Sequence, residues 1–187
     1  MMRAPHFLLI QLLILAACPS FASGCRTSQE GVSTMAFQLK SPDFQSGASI
    51  PKQFTCDGSD VSPAFSWNDP PPATQSFALI ADDPDAPVGT WVHWVLFDLP
   101  PATRGLAQNL PKQAQLSDGS RQGRNDFGKI GYGGPCPPPG KSHRYFFKLY
   151  ALDSKLNLTS DATKKDVERA MQGHILAHSE WVGRYGR

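Results

Sequence analysis

The hydrophobic positions of this chain fall into short segments bounded by turn-forming residues. Several segments are rich in aromatic or β-branched residues and end at Pro, Gly, Asn or Asp, which predicts β-strands at 36–40, 64–67, 76–81, 91–99 and 144–152. Helical periodicity is convincing only at 161–172, where Ser160 or Asp161 can cap the helix, and a second short turn is predicted at 174–182. The pattern predicts a mostly β fold, a two-sheet β-sandwich with peripheral C-terminal helices.

The strand that begins at Trp91 carries one polar side chain, His93, between Trp91 and Phe97. Strict alternation places four side chains on one face, namely Trp91, His93, Val95 and Phe97. The opposite face is apolar too, so an interior strand is predicted. The same arrangement recurs at the strand that follows Ser142, where the shared face consists of His143, Tyr145, Phe147 and Leu149.

Two acids, Asp83 and Asp85, follow the strand at 76–81 and precede the loop into Trp91. If these strands form a hairpin, both acids lie beside His93, and His143 reaches the same end of the sheet if its strand runs parallel to 91–99. Imidazoles beside carboxylates favour the charged form and would attract an anion, helped by backbone donors of the glycine-rich segment 131–140. The alternative is a pair of ordinary buried histidines that bond to loop carboxylates and carbonyls.

The first residues are typical of an export signal rather than of the fold. Arg3 precedes an apolar run at 7–17 that is too short for a permanent membrane span. We predict a signal peptide over 1–24, with a lipobox (Leu-Ala-Ala-Cys) ending at Cys18 or an ordinary cleavage after Ala22. Residues 25–35 form a polar tether and 36–187 the folded domain. The expected location is the periplasm of a bacterium, or its membrane through a lipid on Cys18.

Composition narrows the choice of function. A length of 187 residues with 40% hydrophobic residues supports one core, and a net charge of +2 without a basic stripe argues against nucleic-acid binding. Cys56 and Cys136 are the only cysteines in the folded part, and export favours a disulfide between them over two free thiols. Two histidines and two carboxylates could also ligate a metal, so a metal-assisted hydrolase is the alternative function.

Several ordered motifs resemble one known family. DPDAP at 83–87, Trp-x-His at 91–93, GYGGP at 131–135 and Gly-x-x-His-Arg-Tyr at 140–145 resemble the phosphatidylethanolamine-binding proteins, also called Raf-kinase-inhibitor-like proteins. FTCDG at 54–58 and the tail from Gly173 onward are closest to the bacterial YbhB/YbcL branch. The resemblance spans 35–187.

The resemblance implies a Greek-key β-sandwich with a small pocket for phosphate or a phospholipid headgroup, and neither catalytic residues nor a cofactor. Carried over by motif, the pocket consists of Asp83, Asp85, Trp91, His93, Gly133, Pro135, His143 and Tyr145. In this scheme the aspartates orient and charge the histidines, which donate to ligand oxygens, while Arg144 forms an ion pair on the other strand face. We expect an exported, non-enzymatic binding protein, with a protein partner and a homodimer left open.

Overall fold

The computed structural model describes residues 36–187, which form two antiparallel β-sheets. The strands are β1 (Gln38–Lys40), β2 (Phe65–Asn68), β3 (Ser76–Asp83), β4 (Trp91–Leu99), β5 (Gly105–Leu106), β6 (Arg121–Gln122), β7 (His143–Leu152) and β8 (Ile175–Tyr185). A 3₁₀ turn covers Lys52–Phe54, and α1 covers Lys164–Met171. The predicted signal peptide, Cys18 and the tether lie outside the described residues.

The order of the strands brings the predicted site together. The smaller sheet has the order β1-β2-β5 and the larger sheet β6-β4-β3-β7-β8. Since β3 is antiparallel to both β4 and β7, those two strands run in the same direction on either side of it. The end of β3 therefore lies between the beginnings of β4 and β7, which is the arrangement that the sequence left conditional.

The core between the two sheets is aromatic. Phe65 of the smaller sheet packs on Phe147 of the larger with ring centroids 4.9 Å apart, and Trp67 meets Phe77 at 5.3 Å. The other face of the larger sheet is covered by α1, whose Val167 is fully buried in a cluster that includes Ile80 and Val95. Burial on both faces explains why the central strands β3 and β4 are mostly apolar, with Asp82, Asp83 and His93 near one end as exceptions.

The mostly β, two-sheet prediction is confirmed, but the C-terminal part was predicted incorrectly. Within 36–187 the structure has one α-helix, and no helix there is long and apolar enough to cross a membrane. This helix begins after Thr163, which caps it through a reciprocal pair of bonds with Asp166, rather than at residue 160 or 161. Residues 175–182 of the predicted turn at 174–182 belong to β8, because pairing with the whole of β7 from His143 to Leu152 satisfies the backbone of this strand.

A β-bulge at His93 changes which side chains of β4 share a face. Ala81 pairs with Trp94 while the next residue, Asp82, pairs with Val92, so His93 is an extra residue on β4. The bulge resets the alternation: Trp94 and Leu96 enter the core between the sheets, whereas the α1 side of the sheet receives Val92, Val95 and Phe97. The predicted common face of His93, Val95 and Phe97 was therefore wrong.

Candidate functional site

A cavity of about 200 Å³ lies where β3 ends and β4 and β7 begin. The lining comprises Asp83, Ala86, Pro87, Val88, Trp91, His93, Phe127, Cys136, Pro137, Pro138, His143 and Tyr145. Of the eight predicted pocket residues, the structure brings five into this lining: Asp83, Trp91, His93, His143 and Tyr145. The two histidines, which are 50 residues apart in the sequence, thus share one cavity.

The cavity has a polar floor and an apolar mouth. The floor consists of Asp83, His93, His143 and Tyr145, each at most 9% exposed. The mouth is formed by exposed or half-exposed apolar groups such as Val88, which is 77% exposed, together with Trp91 and Phe127. A small polar ligand could therefore bind at the floor while an organic substituent contacts the mouth.

Asp83 holds His143 in place from behind. The Nδ1 atom of His143 lies 2.8 Å from Oδ2 of Asp83, and the other carboxylate oxygen, Oδ1, accepts from the backbone N–H of Asp85 at 2.8 Å. Both oxygens of Asp83 are thus engaged with the protein, and Nε2 is the free ring nitrogen of His143. The carboxylate fixes the orientation of the ring.

His93 is held in a different way, by the backbone of Gly133. The Nδ1 atom of His93 lies 2.7 Å from the Gly133 carbonyl oxygen, and the Gly133 N–H donates back to the His93 carbonyl at 2.9 Å. Because a carbonyl can only accept, Nδ1 must carry a proton. Burial lowers the pKa of His93 and outweighs the opposing effects of the Gly133 hydrogen bond and of nearby Asp83, so the ring is neutral near pH 7 and its Nε2 is an acceptor. The structure does not support the expected protonated His93 donor.

Tyr145 contributes a hydroxyl group that has no partner. The residue is 2% exposed, and its hydroxyl forms no hydrogen bond with any of the residues in the described range. Burial, followed by the charge of the neighbouring Asp83 carboxylate and a side-chain interaction with it, raises the pKa of Tyr145, so the hydroxyl stays protonated; the contact with Asp83 does not meet hydrogen-bond geometry. A buried hydroxyl without a partner costs ~1–3 kcal/mol. An acceptor in the cavity would remove this cost.

Three predicted pocket residues do not line the cavity, and the first is Asp85. Its carboxylate accepts two bonds from the Arg144 guanidinium, at 2.8 and 2.7 Å, and these bonds hold the pKa of Asp85 well below its usual range. The expected ion pair of Arg144 is therefore present. The Asp85 carboxylate therefore bonds to Arg144 rather than to either histidine, although it still interacts electrostatically with His143, and its backbone N–H holds Asp83.

Gly133 and Pro135 are the other two, and their backbone groups bond to the protein rather than to the space where a ligand would lie. The N–H of Gly133 bonds to His93, that of Gly134 to Asp60 Oδ1 at 2.6 Å, and the Pro135 carbonyl accepts from Cys56 N–H at 3.1 Å. The N–H groups of Gly133 and Gly134 are consequently unavailable to an anion. A Cβ on Gly133 would lie 2.7 Å from the Phe127 ring, so this glycine allows the ring to close against the wall.

Phe127 is the main lining residue that the sequence did not predict. Its ring meets Trp91 edge-on at 5.4 Å and His93 at 5.3 Å. It belongs to a polar turn, where Asn125 Oδ1 accepts from the Phe127 N–H at 3.1 Å. An isolated exposed aromatic residue in a polar turn is the signal that could have identified it.

Comparisons with known proteins identify the family of this chain. A family model described as phosphatidylethanolamine-binding protein matches residues 40–186. The chain belongs to this family. Within the phosphatidylethanolamine-binding protein family, it is 51% identical over 149 residues to a "UPF0098 protein" of Methanothermobacter thermautotrophicus, covering 80% of this chain and 98% of that protein. A "UPF0098 protein" of Aquifex aeolicus is 53% identical over 152 residues, covering 80% and 88%.

Solved structures of the phosphatidylethanolamine-binding protein family share the fold. YbcL of Escherichia coli superposes with a TM-score of 0.76 at 33% identity, covering 81% of this chain and 98% of that one. A homologue from Chlamydia trachomatis gives a TM-score of 0.74 at 40% identity, with the same coverage. The resemblance inferred from the motifs is thus confirmed.

Cys56 and Cys136 are joined by a disulfide, with Cα atoms 5.4 Å apart. The predicted pairing is therefore present. Because Cys136 and the two prolines after it line the cavity, the bridge ties this wall to the segment around Cys56. The tail tyrosine, Tyr185, lies outside the cavity lining and donates to Asp57 Oδ2 at 2.7 Å.

Proposed function

We propose that this protein is a non-enzymatic binding protein whose cavity holds a small ligand with a phosphate group, such as a phospholipid headgroup or a related phosphate ester. The observation that carries the proposal is the unpartnered Tyr145 hydroxyl in a cavity that also contains His143, held by Asp83. Membership of the phosphatidylethanolamine-binding protein family supports the same ligand chemistry.

The size and lining of the cavity favour a headgroup over a whole lipid. Pockets for drug-sized ligands measure ~300–1,000 Å³, whereas this cavity measures about 200 Å³. A phosphate at the floor would accept from the Tyr145 hydroxyl. The apolar mouth formed by Trp91 and Phe127 would contact the carbon atoms of the substituent.

The lining favours binding over catalysis. It includes no serine or threonine, and its cysteine, Cys136, is in a disulfide. Throughout residues 36–187, no group of three or more His, Cys, Asp or Glu side chains is placed to hold a metal ion. The alternative of a metal-assisted hydrolase has no support from this arrangement.

Titration with O-phosphoethanolamine, followed through the histidine ring signals by NMR, tests the proposal. We expect His93 and His143 to shift at millimolar ligand or below. His174, which pairs with Asp153 and does not line the cavity, serves as an internal control and stays unchanged. Tyr145→Phe should weaken binding about tenfold, the value of one hydrogen bond to a charged group. If neither cavity histidine shifts, the proposed function is overturned.

We also propose that the protein acts outside the cytoplasm. The signal-like segment at 1–24 supports export, and so does the Cys56–Cys136 bridge, because disulfides persist in oxidising compartments. Fractionation of a bacterium that expresses the full chain should place the protein in the envelope. Cys18→Ser would release it from the membrane fraction if Cys18 is lipidated, and would leave it unchanged if cleavage follows Ala22. Recovery in the cytoplasm with an intact N-terminus would refute export.

A further inference from the structure

The floor of the cavity combines a hydrogen-bond donor with an acceptor, and this restricts the phosphate that fits. Tyr145 offers an O–H group. His93 is 4% exposed, which favours its neutral form, and Nδ1 carries the proton that bonds to the Gly133 carbonyl, so the neutral ring offers the lone pair of Nε2. A site built only for a fully ionised phosphate would present donors on all sides. Here one position requires a donor from the ligand.

We propose that the cavity selects phosphate groups that carry a proton, namely phosphomonoesters, and discriminates against phosphodiesters. This inference rests on the proposed function and refines its ligand class. A monoester has a second pKa of about 6, so near this pH it has a P–OH group that can donate to Nε2 of His93. Its remaining oxygens accept from Tyr145. A diester has no P–OH group and would place an anionic oxygen against the lone pair of Nε2.

The surroundings of His93 leave the ligand as the source of this proton. The ionisable groups that face the ring are Asp83 from β3 and His143 and Tyr145 from β7; the segment that packs on its other side contributes the Phe127 ring and the Gly133 carbonyl. Asp82 lies on the opposite face of β3 with its lysine partners. Asp83 is occupied by His143 and by the Asp85 amide, so it forms no bond to His93. Burial lowers the pKa of His93.

A proton balance follows from this arrangement. Binding of the monoester as the dianion requires uptake of one proton, which is shared between the phosphate and Nε2. Above pH 6 the affinity should therefore fall as the protonated ester becomes scarce, by about 50-fold between pH 6 and pH 8 for a second pKa of about 6. A diester has no P–OH group, so protonation of the ligand cannot produce this pH dependence of the affinity.

Calorimetry with matched probes tests the inference. O-Phosphoethanolamine is the monoester, and glycerophosphoethanolamine is the diester with the same amine. We expect the monoester to bind at least tenfold more tightly at pH 6.5, with uptake of about one proton at pH 7.5, measured in two buffers of different ionisation enthalpy. Vesicles that contain phosphatidic acid, a monoester lipid, or phosphatidylethanolamine, a diester lipid, show whether a membrane can supply the group. Binding to phosphatidic acid vesicles alone supports the same ligand class from a lipid source.

Two variants separate selectivity from affinity. His93→Gln places an amide near the Nε2 position, which can donate as well as accept, so the preference for the monoester should disappear. Tyr145→Phe should weaken both probes and retain their ratio. Equal binding of both probes to the unaltered protein, or monoester binding without proton uptake, overturns the inference while the proposed function stands. Failure of both probes to bind overturns the proposed function as well. The measurements on the unaltered protein distinguish these outcomes even if a variant does not fold.

Discussion

Asp82 and Asp83 are consecutive in β3, yet their carboxylates serve opposite faces of the sheet. Asp82 Oδ1 lies 2.9 Å from Lys148 Nζ on the face covered by α1, whereas Asp83 Oδ2 lies 2.8 Å from His143 Nδ1 at the cavity. Successive side chains of a strand point to opposite sides, so two buried acids can be neighbours without sharing an environment. One contributes to the fold and the other to the site.

Replacing Asp83 with Asn should weaken ligand binding with little effect on the fold. The amide oxygen can still accept from His143, but the charge of the partner is lost, which costs ~1–2 kcal/mol or about tenfold in affinity. Asp85→Asn is the matched control, since Asp85 pairs with Arg144 outside the lining. Calorimetric titration of both variants with O-phosphoethanolamine checks this. Equal losses of affinity in the two variants would contradict the assigned role of Asp83.

Replacing Asp82 with Asn should destabilise the fold and leave the cavity intact. The Asp82 side chain is fully buried, and its two lysine partners are partly exposed, so we expect the free energy of unfolding to fall by ~3 kcal/mol, the low end for breaking a buried ion pair. Lys112→Gln removes the exposed pair with Asp60, leaves the bond from the Gly134 N–H to Asp60 in place, and should cost under ~1 kcal/mol. Urea unfolding measures both values. A similar small cost for each would show that Asp82 is not a structural anchor.

Adding a methyl group at Gly133 should open the wall of the cavity. The new Cβ would lie 2.7 Å from the Phe127 ring, so Gly133→Ala must displace it, at a cost of ~1–3 kcal/mol. Phe127→Ala removes the obstacle, and the double variant should recover much of this cost. A double-mutant cycle by urea unfolding gives the coupling energy between the two sites. Strictly additive costs would mean that the two residues do not press on one another.

Removing the disulfide should reduce both stability and affinity. The Cys56→Ser, Cys136→Ser double variant is expected to lose ~2–5 kcal/mol in free energy of unfolding, and ligand binding should weaken because Cys136 lines the cavity. Reductant should move the unaltered protein toward the variant and have no effect on the variant itself. Unchanged urea midpoints after confirmed loss of the bridge would contradict this expectation.

Acidification should destabilise the free protein through His93. Burial lowers the pKa of His93 in the folded state, so below the unfolded value of about 6.5 the unfolded chain binds more protons than the folded one. The contribution is thus fully present above pH 6.5 and is lost as the pH falls toward the folded-state pKa, by at most ~1.4 kcal/mol per pH unit. Between pH 7.5 and 5.5, His93→Gln should lose less stability than the unaltered protein. Parallel curves in urea unfolding would show that His93 does not titrate with unfolding.

The sequence predicted the convergence of the two histidines because simple rules govern it. A hairpin brings Asp83 beside Trp91 and His93, and a further antiparallel neighbour brings His143 to the same end. The position of Asp85 outside the cavity lining could not be predicted, because motif matching does not show which of two nearby acids bonds to a guanidinium. The local sequence pattern did not predict strand β8, because this strand forms through long-range pairing with β7. Phe127 was missed because its position depends on the absence of a side chain at Gly133.

The bulge in β4 means that the cavity depends on the number of residues in this strand as well as on their identity. Deletion of His93 would remove the register shift beside Asp82 and leave the second one, between Phe77 and Leu79, in place. The imidazole would be gone, together with both of its residue's hydrogen bonds to Gly133. A relative of identical architecture but with one residue fewer here would be a scaffold without a recognition site, and an alignment gap at this point would be enough to identify it.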